Sequence, residues 1–490
     1  MGFLTIDLGT TNIKVSAYSD ALQLYAAESE KVVYRQIDDR VEFDAQEYFA
    51  KLMSAIGRLV PVMTEATRQI ILTGQAESLI VVDQDGIPLR PGISWMDTRS
   101  SRECEDLKRF FPEERAYEIT GQPTNNPTWP ITKILWIKRH EPEIFTHAAK
   151  YMLLKDYIQY RLTGRLYGEY SIYNFSYYFD IRKKDYWQEI LDWCGVRRNQ
   201  LPDLVEPCTT IGPLTDDLAS QLHFTSVPMV NIGTLDHFAG MIGTGNVREG
   251  IISESTGTVV TLATLIGEPL FSTERIPCHY GPFSDSYVLL PVCESGGICL
   301  EWFKENFAEA FSYQELDDLV ASRSSPGDVL FLPYITGTNS PDFNEDAKGV
   351  FYGIRLRHDR TDLARGVMEG IAYLLLRNLE CLTRIGISAD QVITTGGGSK
   401  SNVWCQIKAD LTRYPFAIPA QSEAASLGCA LIGAVSTGLF ADYQSAVEKS
   451  VSLKKTYDPA NPDSYIRLRK LYKVLYEQML PVFRLDADTN

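Results

Sequence analysis

The chain lacks several features that would assign it to a common class of protein. In its 490 residues no apolar run reaches about 18 residues, the length that a membrane-spanning helix requires. Its nine cysteines form no C-x-x-C pair, which favours a reducing cytosol over a disulfide framework or a zinc site. It also lacks a basic excess, since its net charge is −16, and this argues against nucleic-acid and acidic-membrane partners. We therefore expect a cytoplasmic protein with no signal peptide, no membrane contact and no nucleic-acid partner.

The phosphate-binding P-loop G-x-x-x-x-G-K-[ST] is absent as well. Residues 6–15 read IDLGTTNIKV instead, an apolar run, a turn and a second apolar run, which predicts a strand, a tight turn and a second strand. Gly9 would let the backbone approach a bulky anion, and Thr10 and Thr11 would donate hydrogen bonds to it. The Asp7 carboxylate could hold a cation that bridges the anion. This combination indicates a site for nucleotide phosphates and magnesium, although an ordinary hairpin with a polar turn remains the alternative.

Two further glycine turns lie in the second half of the chain. Residues 253–262, SESTGTVVTL, place Gly257 and Thr258 between two strand-like runs and so echo the first turn. A strand predicted over residues 391–395 then enters Gly-Gly-Gly at residues 396–398, before a helix capped by Ser401. Strand, glycine turn and capped helix are typical of a nucleotide site, because ligands sit at the carboxyl ends of strands. The pattern predicts two related lobes with the nucleotide between them.

Two other segments carry candidate chemistry for an acceptor molecule. Asp236 ends a predicted strand and begins a small-residue helix, so it is a candidate general base, with a helix N-cap as the alternative. Trp95 follows a strand in the first half, and its ring would suit the C–H surface of a polyol. For Arg99, an ion pair with Asp97 on the protein surface is the preferred interpretation.

The length suggests two or three domains. We expect an α/β protein with an N-terminal lobe over residues 1–246 and a C-terminal lobe over residues 247–440. A helical segment over residues 441–490 is expected to pack on these lobes, with a short hinge near residues 246–252. A homodimer is possible.

The ordered motifs, taken together, resemble the FGGY carbohydrate kinases over essentially the whole chain. They include IDLGTTNIK, GISWMDTR, LDHFAGMIGTG, STGT, GGICLEWF, RGVMEGIAY and TTGGGSKSNVWCQIKAD. The resemblance implies an α/β, two-lobed actin-like (ribonuclease H-like) ATPase fold that closes over MgATP and a sugar or polyol. It implies Asp236 as catalytic base, Asp7 and Asp236 as magnesium-binding residues, and Gln75, Glu77, Trp95, Asp236 and His237 as acceptor contacts. The nucleotide contacts that it implies are Asp7, Gly9, Thr10, Thr11, Lys14, Gly257, Thr258, Gly397, Gly398 and Asn402.

Departures from the family pattern bear on the substrate. Where xylulokinases usually have Met-His-Gly, this chain has Ala76-Glu77-Ser78, and His237 follows Asp236 where asparagine or glutamine is usual. A ketopentose such as xylulose is our prediction, with glycerol or another polyol as the alternative. A sugar acid should be disfavoured, because its carboxylate would face Glu77 with no basic partner in this loop. The competing class is a chaperone-type or actin-type ATPase, which has no sugar acceptor.

Overall fold

The structure is a computed structural model that describes residues 1–63, 66–323, 326–421 and 423–487. The first half contains fifteen strands among the described residues: β1 (Gly2–Leu8), β2 (Asn12–Tyr18), β3 (Leu24–Lys31), β4 (Arg35–Ile37), β5 (Arg40–Phe43), β6 (Thr67–Gly74), β7 (Leu79–Val82), β8 (Gly92–Ile93), β9 (Lys150–Leu153), β10 (Tyr167–Glu169), β11 (Phe179–Asp180), β12 (Asp185–Tyr186), β13 (Asp203–Val205), β14 (Thr210–Pro213) and β15 (Met229–Leu235). Its α-helices are α1 (Ala45–Leu59), α2 (Ser101–Phe110), α3 (Glu113–Thr120), α4 (Pro130–His140), α5 (Pro142–His147), α6 (Leu154–Thr163), α7 (Tyr170–Tyr173), α8 (Gln188–Cys194), α9 (Asp216–Gln221) and α10 (Asp236–Thr244).

The second half continues the alternation of strands and helices. Its strands are β16 (Ile251–Thr256), β17 (Val260–Ile266), β18 (Cys278–Tyr280), β19 (Tyr287–Leu289), β20 (Val292–Cys293), β21 (Leu330–Pro333), β22 (Gly349–Tyr352), β23 (Gln391–Thr395), β24 (Phe416–Pro419) and β25 (Leu453–Tyr457). Its α-helices are α11 (Gly297–Phe307), α12 (Tyr313–Ala321), α13 (Arg360–Arg384), α14 (Asn402–Thr412), α15 (Ala424–Ser436), α16 (Tyr443–Ser450) and α17 (Ile466–Ala487). Short 3₁₀ turns lie at Val60–Val62, Asn174–Ser176, Arg198–Gln200, Gly397–Lys400 and Pro462–Tyr465.

The two halves build their main sheets in the same way. In the first sheet, ordered β14-β15-β6-β1-β2-β3, β1 pairs antiparallel with β2 and parallel with β6. In the second, β16 pairs antiparallel with β17 and parallel with β23, and β23 pairs in parallel with β24. The series β2-β1-β6-β15 therefore corresponds to β17-β16-β23-β24. This correspondence supports the interpretation of the second Gly-Thr turn as an echo of the first.

The first hairpin forms because its apolar residues are buried and its turn is tight. Ile6, Ile13 and Val15 are completely buried, and Asp7 lies opposite Lys14 in the antiparallel register. At Gly9 a Cβ atom would lie 2.6 Å from the Asn12 carbonyl oxygen, so a larger residue would force the turn open. The predicted strand, turn and strand over residues 6–15 are confirmed.

The halves meet where α10 crosses α15. A Cβ atom on Gly243 would lie 1.8 Å from the Ala424 carbonyl oxygen, and one on Gly428 would lie 1.8 Å from the Ala239 carbonyl oxygen. The two helices therefore touch backbone to backbone, each through a glycine. This crossing fixes the base of the cleft between the sheets.

Two expectations from the sequence were wrong in part. The tail is not wholly helical, because β25 adds to the second sheet beside β24. Asp97 and Arg99 do pair, but they are buried rather than on the surface: their side chains are 0% and 2% exposed, and Arg99 makes two hydrogen bonds to Asp97 Oδ2. Trp136 packs under this pair, with the Arg99 guanidinium 4.9 Å from its ring centre.

Within the described ranges, no helix has the length and apolar character to span a bilayer.

Candidate functional site

The first turn presents a buried, unpaired carboxylate to the cleft. Asp7 Oδ1 is buried and has no hydrogen-bond partner among the described residues. Burial, followed by the charge of Asp236, raises the pKa of Asp7 to about 7, and Lys14 opposes that rise. An unsatisfied carboxylate oxygen is costly in an apoprotein, and its place in the cleft makes Asp7 a candidate ligand for a cation.

Asp236 and Asp7 line the same cavity, which has a volume of about 340 Å³. His237, Lys14 and Glu423 also line it, and Lys14 Nζ lies 2.9 Å from Glu423 Oε2. Burial raises the pKa of Asp236, against the opposing effect of His237. The cavity therefore contains both predicted magnesium-binding residues, one of which, Asp236, is also the predicted base.

The alternative role of Asp236 as an N-cap is wrong. Asp236 is the first residue inside α10, and Leu235 occupies the cap position without a side-chain hydrogen bond. The Asp236 carboxylate accepts a hydrogen bond from the backbone N–H of its neighbour His237 at 2.6 Å. Its side chain is 37% exposed, so one edge of the carboxylate stays open to the cleft.

The second and third glycine turns line a neighbouring cavity of about 370 Å³. Gly257 and Thr258 come from the turn after β16, and Gly397 and Gly398 from the turn after β23. Leu300 and Trp404 contribute apolar walls, whereas Glu301, Gln314 and Asp317 contribute polar groups. Apolar walls with a few polar groups suit a nucleoside.

The two cavities are adjacent along both turns. Ser255 and Gly396 line the cavity that contains Asp236, and the next residues in the chain, Thr256 and Gly397, line the larger one. An extended ligand could therefore run from the 370 Å³ cavity past both turns to Asp7 and Asp236. A nucleoside triphosphate has this elongated shape.

Asn402 does not line either of these cavities. It lines a third, of about 650 Å³, together with Gly396 and Gly397. Its side-chain oxygen accepts hydrogen bonds from Lys455 at 3.3 Å and from the hydroxyl of Tyr457. This third cavity shares Gly397 and Lys400 with the 370 Å³ cavity, and the expectation that Asn402 and Gly398 both contact the adenosine stays a prediction.

The predicted acceptor loop packs against the first turn. The Gln75 side chain donates to the Gly9 carbonyl oxygen at 3.5 Å and accepts from Ser78 Oγ at 2.9 Å. Trp95 Nε1 donates to Thr10 Oγ1 at 2.8 Å, while its side chain stays exposed. The segments that carry Gln75 and Trp95 are therefore hydrogen-bonded to the first turn and, through Ser78 Oγ and the Trp95 N–H, to each other.

Glu77 has a basic neighbour that the loop sequence does not reveal. Lys133 of α4 is fully buried, and its Nζ donates to the Glu77 and Ser94 carbonyl oxygens at 3.1 and 2.8 Å. Burial raises the pKa of the Glu77 carboxyl, against the opposing effect of Lys133. Glu77 also has a positive φ of 66°, an uncommon backbone conformation for a residue with a side chain. These features mark a constrained position and not an ordinary loop acid.

The donor set suits a magnesium ion that is shared with phosphates. In the described residues no cluster of three or more His, Cys, Asp or Glu side chains could hold a metal by itself. Mg²⁺ is usually bound by one or two carboxylates, with water and substrate phosphates as the remaining ligands. The unpaired Asp7 oxygen and the nearby Asp236 fit this arrangement.

Sequence reasoning missed some residues of the site. Glu301, Gln314 and Asp317 lie on α11 and α12, and Glu423 precedes α15. The motif GGICLEWF contains Glu301, and only its order in the chain pointed to the cleft. Nothing in the local sequence distinguishes Gln314 or Asp317 from surface residues of an amphipathic helix.

Comparisons with known proteins agree with this geometry. Models of the FGGY family of carbohydrate kinases match residues 3–243 as the N-terminal domain and residues 253–437 as the C-terminal domain. The xylulose kinase of Staphylococcus epidermidis is 30% identical over 487 residues, covering 97% of this chain and 96% of that protein. The gluconokinase of Bacillus subtilis is 27% identical over 450 residues, covering 89% and 87%.

A solved structure supports the fold assignment. The crystal structure of a xyloylose kinase from Brucella ovis has a TM-score of 0.92 and 27% identity, covering 98% of this chain and 100% of that one. The mixed α/β architecture with two related sheets confirms the predicted two-lobed, actin-like ATPase fold. Because the family matches span both lobes, this chain belongs to the FGGY family of carbohydrate kinases, phosphotransferases that use ATP.

Proposed function

We propose that this protein transfers the terminal phosphoryl group of ATP to a hydroxyl of a ketopentose such as xylulose. The observation that carries the proposal is the continuity of the two cavities. One is lined by Gly257, Thr258 and Gly398, and the other by Asp7 and Asp236. A nucleotide in the first would direct its terminal phosphate toward the two carboxylates.

Asp236 is proposed as the general base. Its carboxylate lies at the start of α10 and is partly open to the cleft, where a sugar hydroxyl could reach it. Burial raises its pKa, which makes the carboxylate a better proton acceptor near neutral pH. Asp236 would accept the hydroxyl proton as the oxygen attacks the phosphorus atom.

Asp7 is proposed as the main protein ligand for magnesium, with Asp236 beside it. Magnesium bound there would neutralise charge on the phosphates as the phosphoryl group is transferred. The Thr10 and Thr11 hydroxyls and the backbone of the Gly9 turn would hold the phosphate oxygens. Lys14 is held by Glu423 and would contribute a positive charge at the same edge of the cleft.

The sugar is proposed to lie between Trp95 and Asp236. The Trp95 ring offers an apolar face next to Thr10, and Glu77 lies in the loop between β6 and β7. Because burial raises the pKa of Glu77, part of its population is protonated and can donate a hydrogen bond to a keto oxygen. This feature favours a ketose over glycerol.

A sugar acid is the second candidate, because the chain is similar to a gluconokinase. The structure offers it little support at this loop. Lys133 is fully buried and donates to two backbone carbonyls, so it does not present a free ammonium group to an acceptor carboxylate. We therefore retain the ketopentose.

The test is turnover by the pure protein with MgATP and a panel of ketopentoses, polyols and sugar acids. ADP formation is followed, with a reaction that lacks sugar as the control. We expect the highest kcat/KM for a ketopentose. A preference for gluconate or glycerol would contradict the substrate, and ADP formation independent of any sugar would contradict sugar phosphorylation altogether.

We place this reaction in the cytoplasm. The nine cysteines are all free, and eight of them are buried, which fits a reducing compartment. Measuring the location of the tagged protein in cell fractions tests this placement.

A further inference from the structure

A buried ion pair lies beneath the nucleotide cavity, and the mechanism proposed above does not use it. Lys408 of α14 and Glu254 of β16 are both 0% exposed, and Lys408 Nζ lies 3.0 Å from Glu254 Oε1. Removing two charges from water is costly unless both are fully hydrogen-bonded, so a buried pair is weak evidence for stability alone. Its position therefore needs another explanation.

The pair is connected to both strands that lead into the nucleotide turns. Lys408 Nζ donates to Thr256 Oγ1 at 2.7 Å, and the Thr256 hydroxyl donates to Glu254 Oε1. The hydroxyl of Thr394, on β23, donates to the other oxygen, Glu254 Oε2. The ammonium also lies 5.1 Å from the ring centre of Trp404. Both carboxylate oxygens thus have donors, and the cluster joins β16, β23 and α14.

The glycine turn at residues 396–398 packs directly on this cluster, and Thr256 immediately precedes the turn at Gly257. A Cβ atom on Gly398 would lie 2.8 Å from Thr256 Cβ and 3.4 Å from Lys408 Nζ. A Cβ atom on Gly396 would lie 2.6 Å from the Thr256 carbonyl oxygen. Thr256, Gly398 and Trp404 all line the 370 Å³ cavity, whereas Lys408 and Glu254 do not contribute to its lining. Glu254 does border the adjacent 340 Å³ cavity, so the pair lies behind the wall between the two cavities.

We infer that Lys408 and Glu254 are positioning residues for the nucleotide: they hold the turns after β16 and β23 in the spacing that binds it. They act through Thr256, Gly398 and Trp404, which line the cavity assigned to the nucleotide. The inference rests on the proposed function, which assigns this cavity to ATP. Loss of the pair should therefore weaken nucleotide use and leave sugar binding unchanged.

The test compares Lys408→Met with a matched pair elsewhere in the same lobe. Arg365 and Glu369 on α13 also form a buried ion pair, with exposures of 3% and 1% and a distance of 2.8 Å. Their recorded hydrogen-bond partners lie at residues 320, 323, 327 and 465, and none of these lines the nucleotide cavity. Arg365→Met therefore controls for the general effect of breaking a buried pair in this lobe.

Four quantities are measured for each protein: Tm, the KM for MgATP, the KM for sugar, and the Kd of ADP by calorimetry. Both variants should lower Tm. We expect Lys408→Met to raise the KM for MgATP and the Kd of ADP about tenfold, since small displacements of positioning groups have effects of this order or larger. The KM for sugar should stay within about twofold of wild type, and Arg365→Met should leave all three constants unchanged.

A Lys408→Met protein with wild-type nucleotide constants and a lowered Tm would overturn the inference, because the pair would then be structural only. If Lys408→Met does not fold, Thr394→Val takes its place, because it removes one donor to Glu254 with little change of shape. The same constants are then measured for Thr394→Val. A rise in its ADP Kd supports the inference, and an unchanged Kd overturns it. A wild-type protein that binds no ADP would overturn the proposed function and this inference together, whereas an active protein with insensitive variants overturns the inference alone.

Discussion

The two Gly-Thr turns have the same strand pairing but treat their carboxylates in opposite ways. Before the first turn, Asp7 keeps a buried oxygen without a hydrogen-bond partner among the described residues. Before the second, Glu254 has donors on both oxygens and a lysine beside it. A buried carboxylate without hydrogen-bond partners destabilises the fold. One with donors on both oxygens is compensated for the water that it loses on burial. The difference supports the proposal that the first turn binds a cation, whereas the second fixes the geometry of the nucleotide site.

The strands at corresponding positions show the same asymmetry. β15 ends at Leu235 and is followed by Asp236, whose carboxylate reaches the cleft. Its counterpart β24 ends at Pro419 and is followed by Ala420, which carries no titratable group. In the proposed function, the N-terminal lobe would therefore supply the charged chemistry, and the C-terminal lobe a charge-compensated cradle for the nucleotide.

The sharpest way to break this comparison is Asp236→Asn. We expect the fold and the ADP affinity to be retained while kcat falls about 10²-fold or more, the usual scale for loss of a general base. Rates with saturating sugar and MgATP, and ADP binding by calorimetry, measure the two quantities. Near-wild-type kcat would show that the N-terminal lobe does not supply the base.

Asp7→Ala should have the next largest effect. Because its carboxylate is proposed to act through magnesium, turnover at limiting Mg²⁺ should fall about ten- to a hundredfold, and the sugar KM should not change. Titrating Mg²⁺ at fixed ATP gives the apparent magnesium constant for each protein. A raised sugar KM with unchanged magnesium dependence would contradict the placement of the phosphates at the first turn.

Residues close together in the chain could be predicted well from the sequence. The strand, turn and strand at Asp7 and Gly9 and the second hairpin at Gly257 follow from local apolar patterns, and the structure confirms both. The end of α13 also has a local cause, because Gly386 lies just after the helix and has a φ of 89°, a conformation that glycine adopts without strain.

What could not be predicted depends on contacts between distant segments. Lys408 and Glu254 are 154 residues apart, and each looks like an ordinary charged residue in its own segment. Lys133 lies 56 residues from Glu77, so the loop appeared to have no basic neighbour. The Asp97–Arg99 pair was expected at the surface because no local signal shows that Trp136 lies beneath it.

Glu77→Ala tests whether the N-terminal lobe also selects the sugar. Loss of a hydrogen bond from a charged or shared-proton group costs about 1.5–3 kcal/mol, so the sugar KM should rise about ten- to a hundredfold. Discrimination among hydroxyl epimers should relax, while the KM for MgATP stays constant. Glu77→Gln, which keeps a donor and an acceptor, is the control and should show a smaller change. An unchanged sugar KM with unchanged epimer preference would remove Glu77 from the acceptor site.

The smallest expected effect concerns stability, and it tests most directly whether the Asp7 carboxylate differs from the compensated carboxylate of Glu254. Burial raises the pKa of Asp7 from 3.8 to about 7, so between these values the folded protein binds more protons than the unfolded chain. The free energy of unfolding must then fall as pH rises through this window. Because the side chain in Asp7→Asn cannot ionise, this variant does not lose stability in that window. We expect it to raise Tm by about 1–3 °C at pH 8 and hardly at all at pH 5.

Asp156→Asn is the matched control for this stability effect. Burial also raises the pKa of Asp156 to about 7, and its Oδ1 likewise has no partner among the described residues. Its Oδ2, however, accepts hydrogen bonds from the Tyr173 hydroxyl and from the Leu153 N–H at 2.7 and 2.8 Å. Asp156→Asn weakens those contacts, so it should gain less at pH 8 than Asp7→Asn does. Saturating MgADP should then stabilise the wild type and the Asp156 variant more than Asp7→Asn, because the magnesium ligand is intact in both. An Asp7→Asn protein that melts below wild type at pH 8 without nucleotide would mean that the Asp7 carboxylate is compensated after all, as the Glu254 carboxylate is.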